Sequence, residues 1–110
     1  MTEAVEISII NDEEDVTVIG GGTLDLTNSK EFHVGIKDAA VNARTVTVDL
    51  RSAVFIDTAI VQDLATAGVT MLKRGKRLRV MTREGAYPLR VLRISGFEGI
   101  MDIEVESDKQ

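Results

Sequence analysis

The sequence predicts a mixed-sheet α/β domain, and three observations carry that expectation. Five short stretches alternate apolar and polar residues, three longer ones repeat apolar residues at helical spacing, and the two kinds interleave along the chain. At 110 residues the chain is long enough for one domain with a genuine core. Aromatic residues make up only 4% of it, which leaves that core to Val, Ile, Leu and Ala.

The first two strands are VEISII (5–10) and VTVI (16–19), separated by the acidic turn NDEED, and they read as an antiparallel hairpin. Residues 29–43 form a helix with Phe32, Ile36, Ala39, Ala40 and Ala43 on one face and Ser29 as its N-cap. VTVDL (46–50) is the third strand, and RSAVF reads as a loop leading from it to a corner at Asp57. In the helix over 58–73, Ile60, Val61, Leu64, Ala67, Gly68, Met71 and Leu72 face inward, while Gln62, Asp63, Thr66, Thr70, Lys73 and Arg74 face out. Thr58 lies on the boundary. LRVM (78–81) follows, so strand 46–50, helix 58–73 and strand 78–81 make a βαβ unit with parallel strands and a right-handed crossover. A short helix starts near Pro88, buries Leu89, Val91 and Leu92, and stops at Ser95-Gly96. MDIEVE (101–106) reads as an edge strand with one wet face.

Composition narrows the chemistry. The chain has no cysteine, which removes disulfides, thiolate catalysis and Cys-based metal sites. Neither a signal-peptide pattern nor an apolar run long enough to span a membrane is visible, so a cytoplasmic location is the default expectation. The net charge of -5 is segregated: residues 1–29 hold seven acids and no base, whereas 73–93 hold eight bases and only Glu84 as an acid. Overall acidity argues against nonspecific nucleic-acid binding and membrane insertion. The run KRGKRLR (73–79) has no interleaved aromatics for base stacking. It reads as a solvated structural face, with a protein–protein salt-bridge surface as its functional use.

Enzymatic readings find little support. GGGTLD (20–25) follows a strand but lacks the lysine and hydroxyl of a phosphate-binding loop, and it reads instead as a turn in which glycines supply positive φ. His33, the single histidine, reads as a helix-surface residue without a catalytic partner. Asp25, Asp49 and Asp57 could converge at one sheet edge and do acid–base work or hold magnesium, yet no nucleophile or cofactor motif accompanies them. The chain is therefore expected to be no enzyme and to need no cofactor or metal of its own.

The sharpest feature is FIDTAIV (55–61). Asp57 can cap the following helix by accepting a first-turn N–H, a contribution of about 1 kcal/mol. Thr58 then occupies the first turn with its hydroxyl near solvent. A phosphoryl group there would add about 1.5 to 2 negative charges beside the positive end of the helix dipole, with Asp57 repelling it. A simple capping pair is the alternative that the residues leave open.

The segment from VTVDLRSAVFIDTAIVQDL to KRLRVM, followed by LRISGFEGIMDI, resembles the STAS domain of bacterial anti-sigma-factor antagonists and stressosome proteins. GTLD (22–25) matches that family's Gly-x-Leu-Asp turn, and SGF (95–97) its Ser-Gly-Leu/Phe turn. The resemblance covers nearly the whole chain, residues 1–110, and implies a STAS-like single domain with a five-stranded mixed sheet and about four helices. It also implies a non-catalytic role in transcription regulation or stress response, with Thr58 phosphorylated by a partner serine/threonine kinase of the anti-sigma type. ATP and magnesium would belong to that kinase. Asp25, Asp57, Thr58, Ala59 and Gln62 would form the partner-binding face, with other STAS proteins or a homo-oligomer as further partners. Many antagonists continue with Ser or Thr and then Gly-Leu, whereas Ala59, Ile60 and Val61 follow here, which is closer to the stressosome scaffold type. A different implication is a constitutive STAS accessory subunit of a transport or lipid-trafficking complex.

Overall fold

A computed structural model describes residues 5–107. Strands β1 (Glu6–Asp12) and β2 (Asp15–Leu24) form the expected antiparallel hairpin, followed by α1 (Lys30–Asn42), β3 (Thr45–Asp49), β4 (Ala53–Ile56) and α2 (Thr58–Lys73). Strand β5 (Leu78–Arg83), α3 (Tyr87–Ile94), a 3-10 turn at Phe97–Gly99 and β6 (Met101–Glu106) complete the chain. The sheet order is β1-β2-β3-β5-β6, with β4 paired to β2 alone. β3 and β5 are parallel, as the βαβ pattern requires, and β6 is an edge strand.

The described sheet has six strands rather than five. The added one is β4, which was expected to be loop. It lies parallel to the far end of β2, where the ladder shifts register at Gly22-Thr23. GGGTL (20–24) is correspondingly the second half of a long bent strand and not a turn, with Asp25 opening the loop that follows. Two of its glycines have separate reasons. A Cβ on Gly20 would meet the Phe32 ring at 2.7 Å, and Gly22 takes φ of 76° where β2 leaves β3 and joins β4. Among the described residues there are three α-helices, and the fourth helical element is a 3-10 turn.

The core joins the expected apolar faces. Phe32, Ile36, Ala39 and Ala40 of α1 and Ile60, Leu64, Ala67 and Met71 of α2 pack with Val18, Val46, Val48, Leu78 and Val80 of the sheet. Leu72, expected inside, is exposed, and Val91 is half-buried. Gly68 is required where α2 meets the last turn, since a Cβ there would lie 3.0 Å from the Ile100 carbonyl oxygen. Among the described residues, no helix is long and apolar enough to cross a membrane.

Candidate functional site

Helix α2 begins at Thr58 because Asp57 supplies what its first turn lacks. Asp57 sits in extended backbone, and its Oδ1 accepts the Ile60 N–H at 3.2 Å. Its other oxygen, Oδ2, accepts the Leu26 N–H at 3.0 Å, and its own N–H donates to the Leu24 carbonyl at 3.2 Å. One carboxylate thus ties the end of β2 to the start of α2. Thr58 follows as the first helical residue and is exposed, as is Gln62 one turn on, while Ala59 is half-buried. This places Thr58 and Gln62 on one open face of α2.

Asp25 stands in the loop that Asp57 holds, but its Oδ1 is occupied locally. It accepts the Thr27 hydroxyl at 2.7 Å, the Thr27 N–H at 2.9 Å and the Asn28 N–H at 3.1 Å. The Thr27 hydroxyl, first among these, holds its carboxyl below the usual carboxylate range. Ser29 is the N-cap residue of α1 as expected, yet makes no side-chain cap; its buried hydroxyl donates to the Asp25 carbonyl instead. The loop at 25–29 is therefore shaped by its own polar side chains and pinned by Asp57.

Asp49 does not join this corner. It is gripped by Arg51 through Nε at 3.0 Å and Nη2 at 2.9 Å, and Arg51 Nη1 reaches Glu106 at 2.9 Å. Arg51 depresses the Asp49 pKa against the opposing effect of partial burial. The expected convergence of Asp25, Asp49 and Asp57 is absent. Among the described residues, no group of three His, Cys, Asp or Glu side chains could hold a metal ion.

Strand β4 adds what the sequence reading missed. Ala53 and Ile56 point into the core, while Val54 and Phe55 stay exposed. The Phe55 ring stacks on Tyr87 at the start of α3, with centroids 5.2 Å apart and planes 16° from parallel. Phe55, Thr58, Val61, Tyr87, Val91 and Ser95 line an open groove of about 310 Å3. Leu26, 75% exposed, belongs to the loop that Asp57 pins. The chain's single tyrosine, placed directly before its single proline, was the available signal for this groove.

The basic run turns inward on the protein's own acids. Arg74 Nη1 donates to the Ala40 carbonyl near the end of α1 at 2.7 Å, so it serves the neighbouring helix as well as its own. Arg77 binds Asp102 at 2.7 Å, Arg79 binds Glu104 in a fork and Arg83 reaches Glu106 at 3.4 Å. The pairing lowers the Glu104 pKa and raises that of Arg79. Arg77 and Arg79 of the run thus pair with β6 acids, which fits the structural face expected of it and leaves those two less open to a partner's acids. His33 is exposed as expected, and its Nδ1 lies 2.7 Å from Asp63 Oδ1, linking α1 to α2.

The family model described as Mlab, STAS domain, matches residues 10–103. The chain belongs to the Mlab STAS-domain family. Solved structures agree on the fold. An anti-sigma factor antagonist from Mycobacterium paratuberculosis superposes with a TM-score of 0.77 at 15% identity, covering 92% of this chain and 86% of that one. A putative anti-sigma factor antagonist from Thermotoga maritima gives 0.70 at 14% identity over 94% and 86% of the two chains. The antagonist SpoIIAA in its unphosphorylated form gives 0.67 at 14% identity over 96% and 90%. No curated protein matches the chain. This STAS domain therefore shares the antagonists' fold at low identity.

Proposed function

We propose that this STAS domain is a non-catalytic regulatory module that binds a partner protein through the Thr58 corner and is switched by phosphorylation of Thr58. The exposed Thr58 hydroxyl beside the two-way Asp57 clamp is the single observation that carries this reading. Asp57, Thr58, Gln62 and the pinned loop with Asp25 form the docking face, joined by Phe55 and Tyr87; Ala59 supports it from a half-buried position.

A phosphoryl group on Thr58 would bring about 1.5 to 2 negative charges next to the Asp57 carboxylate. Repulsion then acts on the group that holds Leu26, so both the charge of the face and the seat of its loop change together. The kinase supplies ATP and magnesium. The likeness in fold to antagonists, one of them described in an unphosphorylated form, supports this reading. The test is the intact mass of the protein recovered from its native cells, wild type against Thr58→Ala. Added mass of one phosphoryl group that disappears in Thr58→Ala is expected; phosphate that survives the substitution rejects the assignment.

The match to the Mlab STAS model favours a second reading, a constitutive accessory subunit of a transport or lipid-trafficking complex. Here Thr58→Ala leaves binding intact and no phosphate is found, while bulk or charge reversal on the Thr58 face abolishes docking. Co-purification of an ATPase subunit rather than a regulatory kinase decides for it.

A further inference from the structure

On the far side of the molecule, β1 is the terminal strand of the described sheet, paired through only one of its edges. Its outer backbone N–H and C=O groups form a template for another strand. The strand's helix-side Ile9 meets α1 at Gly35, and beside that contact a groove stays open. Ile9, Val16 and Ala39 line a groove of about 390 Å3 between the hairpin and α1, and Glu13, Glu14 and Asp38 line it as well, without any basic side chain. Gly35 brings α1 against Ile9 at the inner wall, since a Cβ there would lie 2.7 Å from Ile9 Cδ1. Ile9 remains 43% exposed and Ile10 52%.

The other edge of the sheet is built differently. On β6 the acids Asp102, Glu104 and Glu106 are matched by Arg77, just before β5, and by Arg79 and Arg83 of β5. Beside β1, Arg44 forks onto Asp15 at 2.8 Å and feels Glu14 only through space, and the three groove acids form a concentrated negative rim around apolar side chains. We infer that the β1 edge and its groove form a second docking site that takes a basic, strand-forming segment of a partner protein by β-addition.

The chemistry of the occupant follows from the lining. An added strand places alternate side chains toward α1, where aliphatic groups meet Ile9 and Val16. Lysine or arginine in the same segment meets Glu13, Glu14 and Asp38. A second copy of this chain fits poorly. Two-fold pairing of β1 with itself sets the Glu6 end against the Asp12 end, acid against acid, on a chain already at -5.

The test titrates the full chain with a short fluorescent peptide of alternating lysine and valine, following anisotropy and backbone amide shifts. Saturable binding is expected, with shifts at residues 6–12 and along the exposed side of α1. Glu14→Lys with Asp38→Lys should weaken it roughly tenfold or more, Glu14→Gln with Asp38→Asn by less, and Thr58→Ala not at all. That last arm separates this site from the Thr58 corner. Equal binding by the charge-reversed protein, equal binding of an alternating glutamate–valine peptide, or a β1-paired dimer in sedimentation without peptide would each overturn the inference.

Discussion

The Thr58 corner and the β5–β6 face both present side chains to water, but they resolve that exposure in opposite ways. At β5–β6 the charges meet one another: Arg77 with Asp102, Arg79 with Glu104, and Arg51 with both Asp49 and Glu106. At the corner, Phe55 and Tyr87 stack on each other and still leave about two-fifths of their surfaces open, while Leu26 leaves three-quarters. Charge that cancels within the molecule gives a partner little to gain. Apolar surface held rigidly around one hydroxyl gives it a great deal.

The largest effect that would break this contrast is at Asp57. Asp57→Ala removes the helix cap and the hold on Leu26 at once, and should lower the unfolding free energy by about 1 to 3 kcal/mol in chemical denaturation. It should also loosen amide protection at 24–28 more than elsewhere. Second come the rings. Phe55→Ala and Tyr87→Ala should each weaken partner binding by about 1 to 2 kcal/mol in a binding titration, with smaller losses in stability because both rings are already part-exposed.

The charged face should respond less. Arg79→Ala breaks a largely exposed pair and should cost about 0.2 to 1 kcal/mol of stability without changing partner affinity. Acid tests the same face. Asp15, Asp49 and Glu104 all have folded pKa values below their ordinary ones, held there first by Arg44, Arg51 and Arg79 respectively. A depressed carboxylate contributes its stability above its unfolded pKa and loses it as pH falls through the folded one. Stability should therefore be flat near neutrality and decline below about pH 4, and Arg51→Gln should flatten part of that decline in pH-dependent melting.

The same contrast explains what could be read from the residues alone. The inward faces of α1 and α2 were legible because helical spacing makes burial periodic, and Asp57-Thr58 was legible because a cap is a local device. Strand β4 was not. Ala53-Val54-Phe55-Ile56 is apolar throughout but only four residues long and buries only its two ends, so it shows no alternation that would mark a strand. With β4 hidden, the Phe55–Tyr87 stack was hidden too, because it joins residues that only the sheet brings together. KRGKRLR was legible as a structural face, but its partners were not. A run of like charge looks like an open surface until the strand carrying its counter-charges is placed beside it, and β6 lies more than twenty residues further on. Asp49 misled because its partner Arg51, only two residues away, takes both of its oxygens.

The central claim is that docking happens on the face around Thr58, and capture of the native partner tests it most directly. Equal amounts of wild-type, Thr58→Ala and Thr58→Glu protein, each checked for an unchanged melting temperature, are used to retain the partner from native cells and quantify it. Retention by wild type and Thr58→Ala with loss in Thr58→Glu is the predicted result. Undiminished retention by Thr58→Glu, in a protein that melts normally, would place the interface elsewhere and contradict the account.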